Sequence, residues 1–404
     1  MKILIVTQYF WPENFKINEL AVELTAAGHQ VTVLTGKPNY PNGKFFHGYS
    51  FLKSKTEQYH NITIKRVPLF PRGKNSSAKL ILNYLSFAVF ASILAPFYCR
   101  GKFDNIFVFE PSPVTVGIPA VFLKKLKKCK LFFWVQDLWP ESLIATGATK
   151  SPKVIHLFNK LTTWIYKNCD KVLIQCEGFR SSIQAKNVPA RKIKYFPNWA
   201  DKIYKPYAGQ ALSFIPVLFP AGFNILFAGN LGVAQSLGTI VQAAIYLRDH
   251  TNINFVILGD GRQKKWLKSK IAAHDLKNIH LMGRHPAETM PYYFAMADAL
   301  LVTLKKEPIF SITIPSKIQA YLACGKPIIG ALDGYGANLI NESNAGYSSP
   351  AEDAEPLAQN ILKCAQLTTE QRNNLGNNAQ LYSSTHFDRD KLISILISWM
   401  QLEV

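Results

Sequence analysis

Short apolar runs alternate with stretches of helical periodicity along almost the whole chain, and this alternation restricts the fold more than any other feature. Residues 3–6, 30–34, 62–66, 106–109, 131–135 and 171–174 read as strands. Between several of them lie helical patterns, such as residues 19–27 before Gly28 and residues 153–169 after Pro152. Strands that are apolar throughout are strands buried on both faces, so the pattern predicts a parallel sheet covered by helices on both sides. The rhythm breaks over residues 195–222, where Pro197, Pro206, Gly209, Pro216, Pro220 and Gly222 mark an interdomain connector. It then restarts with strands at 224–228, 255–258, 280–282, 299–303 and 327–331, and with a helix from Gly238 to Arg248. A chain of 404 residues exceeds what one core usually holds, roughly 250 to 300 residues. The sequence therefore predicts two α/β domains, 1–200 and 201–390, with a closing helix within 391–404 packing back on the first.

Charge divides the two halves. Residues 1–200 hold 28 Lys+Arg against 10 Asp+Glu, or +18, whereas residues 201–404 hold 18 against 16, or +2. A one-sided basic field suits an anionic membrane surface or a phosphorylated substrate. No DNA- or RNA-binding module is recognisable, so nucleic acid is not expected as a partner. Residues 80–98 carry no charge and lie between Lys79 and Arg100, at the threshold length for a membrane span. Asn83, Ser86, Ser92 and Pro96 weaken a spanning helix, and a crossover helix with one face dipping into a membrane interface is the expectation. The lysines Lys124, Lys125, Lys127, Lys128 and Lys130 form either a solvated face or a membrane-facing one. The N-terminal apolar stretch is too short for a secretory signal and reads as a first buried strand. Cys99, Cys129, Cys169, Cys176, Cys324 and Cys364 are scattered without metal-ligand spacing and read as buried thiols in a reducing cytosol. Neither a metal nor a cofactor is expected.

In open α/β sheets ligands bind beyond the carboxyl ends of the strands, so the turns there are the candidates for chemistry. The turn after the first strand, with Phe10, Trp11, Pro12, Glu13 and Asn14, contains no glycine and so lacks the dinucleotide fingerprint. Its aromatic and amide residues suit a sugar or a lipid-linked acceptor, or else form an ordinary packed loop. Gly229, Asn230 and Gly232 follow the first strand of the second half, and Gly259, Asp260, Gly261 and Arg262 follow the next; their amides suit a diphosphate. Pro315, Ser316 and Lys317 open a helix and offer either an anion site or a simple cap by Ser316. Asp137 ends an apolar strand beside Leu138 and Trp139, where it acts as a base, orients a hydroxyl or caps a helix.

Residues 1–36 with the helix exit Ala26-Ala27-Gly28-His29-Gln30-Val31, together with Pro197-Asn198-Trp199-Ala200-Asp201, Phe227-Ala228-Gly229-Asn230, Gly259-Asp260-Gly261 and Ala323-Cys324-Gly325-Lys326-Pro327, resemble a family 4 glycosyltransferase of the GT-B fold. The closer likeness is to bacterial O-antigen and exopolysaccharide enzymes similar to L-fucosamine (N-acetyl-L-fucosaminyl) transferases. The resemblance implies two Rossmann-like domains facing across a cleft, a UDP-sugar donor on the C-terminal domain and a polyprenyl-diphosphate-linked acceptor on the N-terminal one. It also implies a cytoplasmic enzyme peripheral to the inner face of the plasma membrane. The family's Arg and Lys in the donor-domain turn are replaced by Asn230 and Gln235, its paired glutamates fall on Ile312 and Ala320, and its histidine falls on Asp137. Donor phosphate charge is then expected on Lys317, Arg262, Arg284 and backbone amides. A nucleotide-sugar 2-epimerase of the same fold and a non-catalytic membrane-associated module remain the rival readings.

Overall fold

The computed structural model describes residues 1–52, 56–74, 76–145, 147, 149–207 and 219–402. The middle of the expected connector, including Gly209 and Pro216, lies outside the described residues. Two compact units emerge: Met1–Pro197 with Asp390–Val404, and Asn198–Arg389.

In the first unit the strands are β1 (Lys2–Val6), β2 (Gln30–Thr35), β3 (Thr56–Tyr59), β4 (Ile62–Arg66), β5 (Asn105–Glu110), β6 (Lys130–Val135), β7 (Lys171–Ile174) and β8 (Ile193–Tyr195). They form one sheet in the order β3-β4-β2-β1-β5-β6-β7-β8. Every pairing is parallel except β3 with β4. Ile3, Leu4, Ile5 and Val6 on β1 and Ile106, Phe107 and Val108 on β5 are fully buried. A fully buried side chain of this size stabilises by about 1.5–3 kcal/mol, which is why the central strands are apolar on both faces. The helix Lys16–Ala26 returns the chain to β2 and stops at Gly28, whose φ of 82° favours glycine. There the N–H of Gly28 donates to Thr25 O and that of His29 to Leu24 O, the paired bonds of a Schellman ending.

The second unit holds β9 (Phe223–Ala228), β10 (Ile253–Leu258), β11 (Ile279–Gly283), β12 (Ala299–Thr303), β13 (Ile328–Ala331) and β14 (Gly346–Ser349). Their order is β11-β10-β9-β12-β13-β14, parallel throughout. All six residues of β9 and of β10 are buried. Each unit is thus an α/β domain built on a parallel or, in the first unit, almost wholly parallel sheet. The strands unforeseen from sequence lie at sheet edges: β3 (Thr-Glu-Gln-Tyr), β8 (Ile-Lys-Tyr) and β14 (Gly-Tyr-Ser-Ser). Edge strands bury less, so they carry no apolar run to read. The β3–β4 hairpin turns through His60 and Asn61 at φ of 46° and 63°, a left-handed pair that fits a type I′ turn.

Candidate active site

The two glycine turns of the second unit interlock. Gly229 and Gly259, at the ends of β9 and β10, take φ of 146° and 148°. A Cβ at Gly259 would fall 1.8 Å from Gly229 O, and one at Gly261 would fall 2.4 Å from Leu231 O, so neither position accepts a side chain without displacing backbone. The N–H of Leu231 donates to Asp260 O and that of Gln263 to Leu231 O, which stitches the turns together. Asn230 is exposed, and its amide nitrogen crowds Gly232.

Lys317 reaches this cradle from the helix Ser316–Ala323. Its Nζ lies 3.7 Å from the centroid of the Phe227 ring and donates to Gln235 Oε1. Burial pushes the amine down to about 7, because charge is disfavoured where water is excluded. The structure thus joins Gly229, Gln235, Gly259 and Lys317, whereas Arg262 and Arg284 are exposed near the rim, the latter within electrostatic reach of Asp260. Ser316 is the first helical residue, and Pro315 occupies the cap position without a side-chain cap bond, so the simple-cap reading of Ser316 is corrected. One carboxylate was not foreseen: Glu352 accepts from Ser236 Oγ at 3.4 Å and from the Lys306 N–H at 3.1 Å. It stands beyond the edge strand β14, where no motif announced it.

In the first unit, the loops after β1, β2, β4, β5 and β6 meet at the carboxyl end of the sheet. Arg66, closing β4, ties them from below: it pairs with Glu57 at 2.9 Å and donates to the carbonyls of Gly36 and Trp11. Glu13 is buried, and its Oε1 accepts from the N–H groups of Asn39 and Tyr40, each at 2.7 Å. Burial raises Glu13 to about 7, although those amides pull it down. Tyr9 stacks on Phe15 with centroids 5.0 Å apart. Burial alone likewise raises Asp137 to about 7. Beside it, Glu110 is fully buried and is driven well above the carboxylate range by burial and then by the charge of Asp137, against the pull of the backbone N–H groups of Asp137 and Gln136. Tyr84 is buried enough to be raised above the ordinary phenol range, and it lies close enough to Arg72, Ser112, Tyr9 and Asp137 to feel them. Ser112 has φ of 123°, a region that costs a non-glycine residue of order 1–3 kcal/mol and is found at ligand sites. Pro12 is half-buried and Asn14 exposed. Phe10, a candidate acceptor contact, is fully buried and edge-on to Tyr59, which corrects that assignment in favour of the packed-loop alternative for this residue.

Two families match the chain. "Glycosyl transferase 4-like domain" covers residues 15–199 and "Glycosyl transferases group 1" covers residues 214–382. The chain is a glycosyltransferase. Among relatives, this glycosyltransferase is 27% identical to WcaI of Escherichia coli (strain K12), named for colanic acid biosynthesis, over 83% of this chain and 84% of that one. It is 27% identical to the glycosyltransferase WbjE of Pseudomonas aeruginosa over 66% of this chain and 68% of that one. Its fold matches Anabaena Alr3699/HepE in complex with UDP at a TM-score of 0.70, with 16% identity and coverage of 99% and 100%. Ile312 ends the short helix Pro308–Ser311, and Ala320 is buried in the helix Ser316–Ala323. Gln235 is the hydrogen-bond partner of Lys317.

Proposed function

We propose that this glycosyltransferase moves a sugar, N-acetyl-L-fucosamine or a close relative, from a UDP-sugar to a polyprenyl-diphosphate-linked saccharide in surface polysaccharide synthesis. The observation that carries the reading is the cradle of Gly229, Gly259 and Gly261 closed by Lys317. The N–H groups of Gly229, Gly259 and Gly261 are spent on Leu258 O, Gly283 O and Asp260 Oδ1, so the Lys317 amine, set beside turns that carry no side chain, is the group that suits a leaving diphosphate; stabilising charge that develops on the leaving group is the largest lever available to such an enzyme. The UDP held by Alr3699/HepE, a protein of the same fold, supports the nucleotide, and the colanic acid role in the name of WcaI supports a polysaccharide product.

The first unit receives the acceptor in this reading. Pro12, Glu13 and Asn14 line its mouth, and Asp137 orients or deprotonates the attacking hydroxyl. Asp137 does so as the ionised carboxylate, a form that its raised pKa makes available only near and above neutral pH. Arg262, Arg284 and Ser316 lie on the donor side and serve the nucleotide or sugar at the rim. The basic first unit and its apolar helix hold the enzyme against the anionic cytoplasmic leaflet where a lipid-linked acceptor resides.

The test is a screen of UDP-sugars, with and without a synthetic prenyl-diphosphate saccharide. Transfer of label to the lipid acceptor supports the proposal. Turnover of a UDP-sugar into its 2-epimer without acceptor would replace it, and binding of UDP with neither reaction would leave a non-catalytic module.

A further inference from the structure

We propose that Arg72 anchors a phosphate of the acceptor. It rests on the acceptor reading above, and the observations behind it are independent of Asp137. Arg72 lies in the loop between β4 and the helix Ser77–Tyr98, with its guanidinium 4.9 Å from the centroid of the Tyr40 ring. Tyr40 in turn packs against Tyr9 and Phe15, with centroids 5.7 and 5.2 Å apart. The guanidinium therefore sits over an aromatic platform at the mouth that contains Glu13.

No carboxylate pairs with Arg72 among the described residues. Arg66 and Arg180 differ, since Glu57 and Glu177 neutralise them. The charge of Arg72 instead acts on the phenols of Tyr9 and Tyr84, partly opposing the effect of their burial. A half-buried guanidinium set over an aromatic ring, without an acidic partner among the described residues, presents a planar set of donors that matches two oxygens of a phosphate.

Its backbone is fixed as well. The Arg72 N–H donates to Asn39 Oδ1 at 3.0 Å, and Gly73 N–H donates to Gly43 O at 3.0 Å. A Cβ at Gly43 would fall 2.2 Å from Gly73 O, so the two loops interlock where the arginine departs. Asn39 also receives a hydrogen bond from Asn83, which is itself held by Gln8. Such rigidity is what a recognition site needs and what a freely solvated arginine lacks. Tyr84 links the two functions, because it lies close enough to both Arg72 and Asp137 to feel their charges.

The experiment compares one saccharide acceptor carried on a short prenyl diphosphate with the same saccharide on a neutral alkyl chain. Wild-type enzyme is expected to favour the diphosphate acceptor, through KM more than kcat. In Arg72→Gln and Arg72→Ala that preference should shrink about tenfold or more, with partial recovery in Arg72→Lys. UDP affinity, measured by calorimetry, reports on the folded donor unit in each variant. A preference unchanged in both neutral variants overturns the anchor while leaving the acceptor reading intact. Loss of UDP binding together with the preference assigns Arg72 a structural role instead. A wild-type enzyme that does not distinguish the two acceptors overturns the lipid-diphosphate reading, and the anchor with it.

Discussion

Lys317 and Gly229 occupy one space between them: a Cβ on Gly229 would lie 2.7 Å from Lys317 Cε and 3.1 Å from its Nζ. A side chain on the turn after β9 would push the flexible end of the lysine out of the cradle. The φ of 146° at Gly229 adds a second obstacle to any substitution. Lys317→Ala should weaken UDP binding by about 1–3 kcal/mol, the scale of a charge-assisted hydrogen bond. Gly229→Ala displaces the same amine and should weaken binding comparably. The double variant should then lose less than the two single losses together, since both remove one interaction. Calorimetric titration of UDP into the four proteins of the cycle measures this. Strict additivity would show that Gly229 and Lys317 act on the nucleotide separately.

The state of Lys317 makes donor binding depend on pH. Burial pushes its pKa down to about 7, so at pH 8 most of the population is neutral before a diphosphate binds. A bound diphosphate favours the ammonium and raises that pKa, so protons must be taken up on binding between about pH 7 and the raised value. UDP titrations at pH 8 in buffers of different ionisation enthalpy should show uptake approaching one proton, and at pH 6 almost none. The uptake should vanish in Lys317→Ala. Equal uptake in that variant would move the titrating group elsewhere.

The glycine cradle was legible in the sequence because close backbone approach leaves glycine as the only residue that fits, so Gly229, Gly259 and Gly261 appear as a pattern. The central strands were legible for a similar reason, since burial on both faces leaves an unbroken apolar run. Gln235 and Lys317 are 82 positions apart and join only through the sheet, so their hydrogen bond carries no local signal. Arg72, Asn83, Tyr84 and Glu110 were unreadable for the same cause. Each is an ordinary loop, helix or strand residue until the loops after β1, β2, β4 and β5 converge. Phe10 shows the opposite error: an aromatic in a binding loop reads as a ligand contact, yet the loop needs some side chain to pin it to the core, and Phe10 is that side chain.

Asp137 should control the pH dependence of turnover. With its pKa raised to about 7, the carboxylate needed to accept a proton or hold a hydroxyl is scarce at pH 6 and dominant at pH 8. The ratio kcat/KM should therefore rise through neutral pH and level off, with Glu13 titrating in the same range. Asp137→Asn should lower kcat by roughly 10²-fold, the low end for general acid–base work, and should remove the Asp137 limb of the profile. A folded variant with near-normal kcat returns Asp137 to a purely structural place. A lost limb in Glu13→Gln but not in Asp137→Asn would transfer the assignment to Glu13.

The helix Ser77–Tyr98 has two faces, and its exposed face leads to the last prediction. Phe87, Ala88, Ala91 and Ala95 are buried, while Ile81, Leu85, Val89, Ile93 and Phe97 recur every fourth residue and are each between 50% and 63% exposed. Phe122 and Leu126, on the neighbouring helix Gly117–Lys127, are exposed too. A helix so placed suits shallow insertion, because its other face is already committed to the protein. The lysines around it are not equivalent. Lys124 pairs with Asp170 at 2.7 Å and Lys127 donates to Gly101 O, whereas Lys125 and Lys128 are exposed. Attraction to an anionic leaflet is about 1 kcal/mol per basic residue near the surface and fades within a Debye length. Binding to anionic vesicles should therefore weaken in high salt, weaken further in Lys125→Gln/Lys128→Gln, and fall most in Leu85→Ser/Val89→Ser/Ile93→Ser, all read by co-sedimentation. Retention after both salt and alkaline carbonate washes would mean that the helix crosses the bilayer. No binding to anionic vesicles at any salt concentration would remove the membrane from the reading and favour a soluble acceptor.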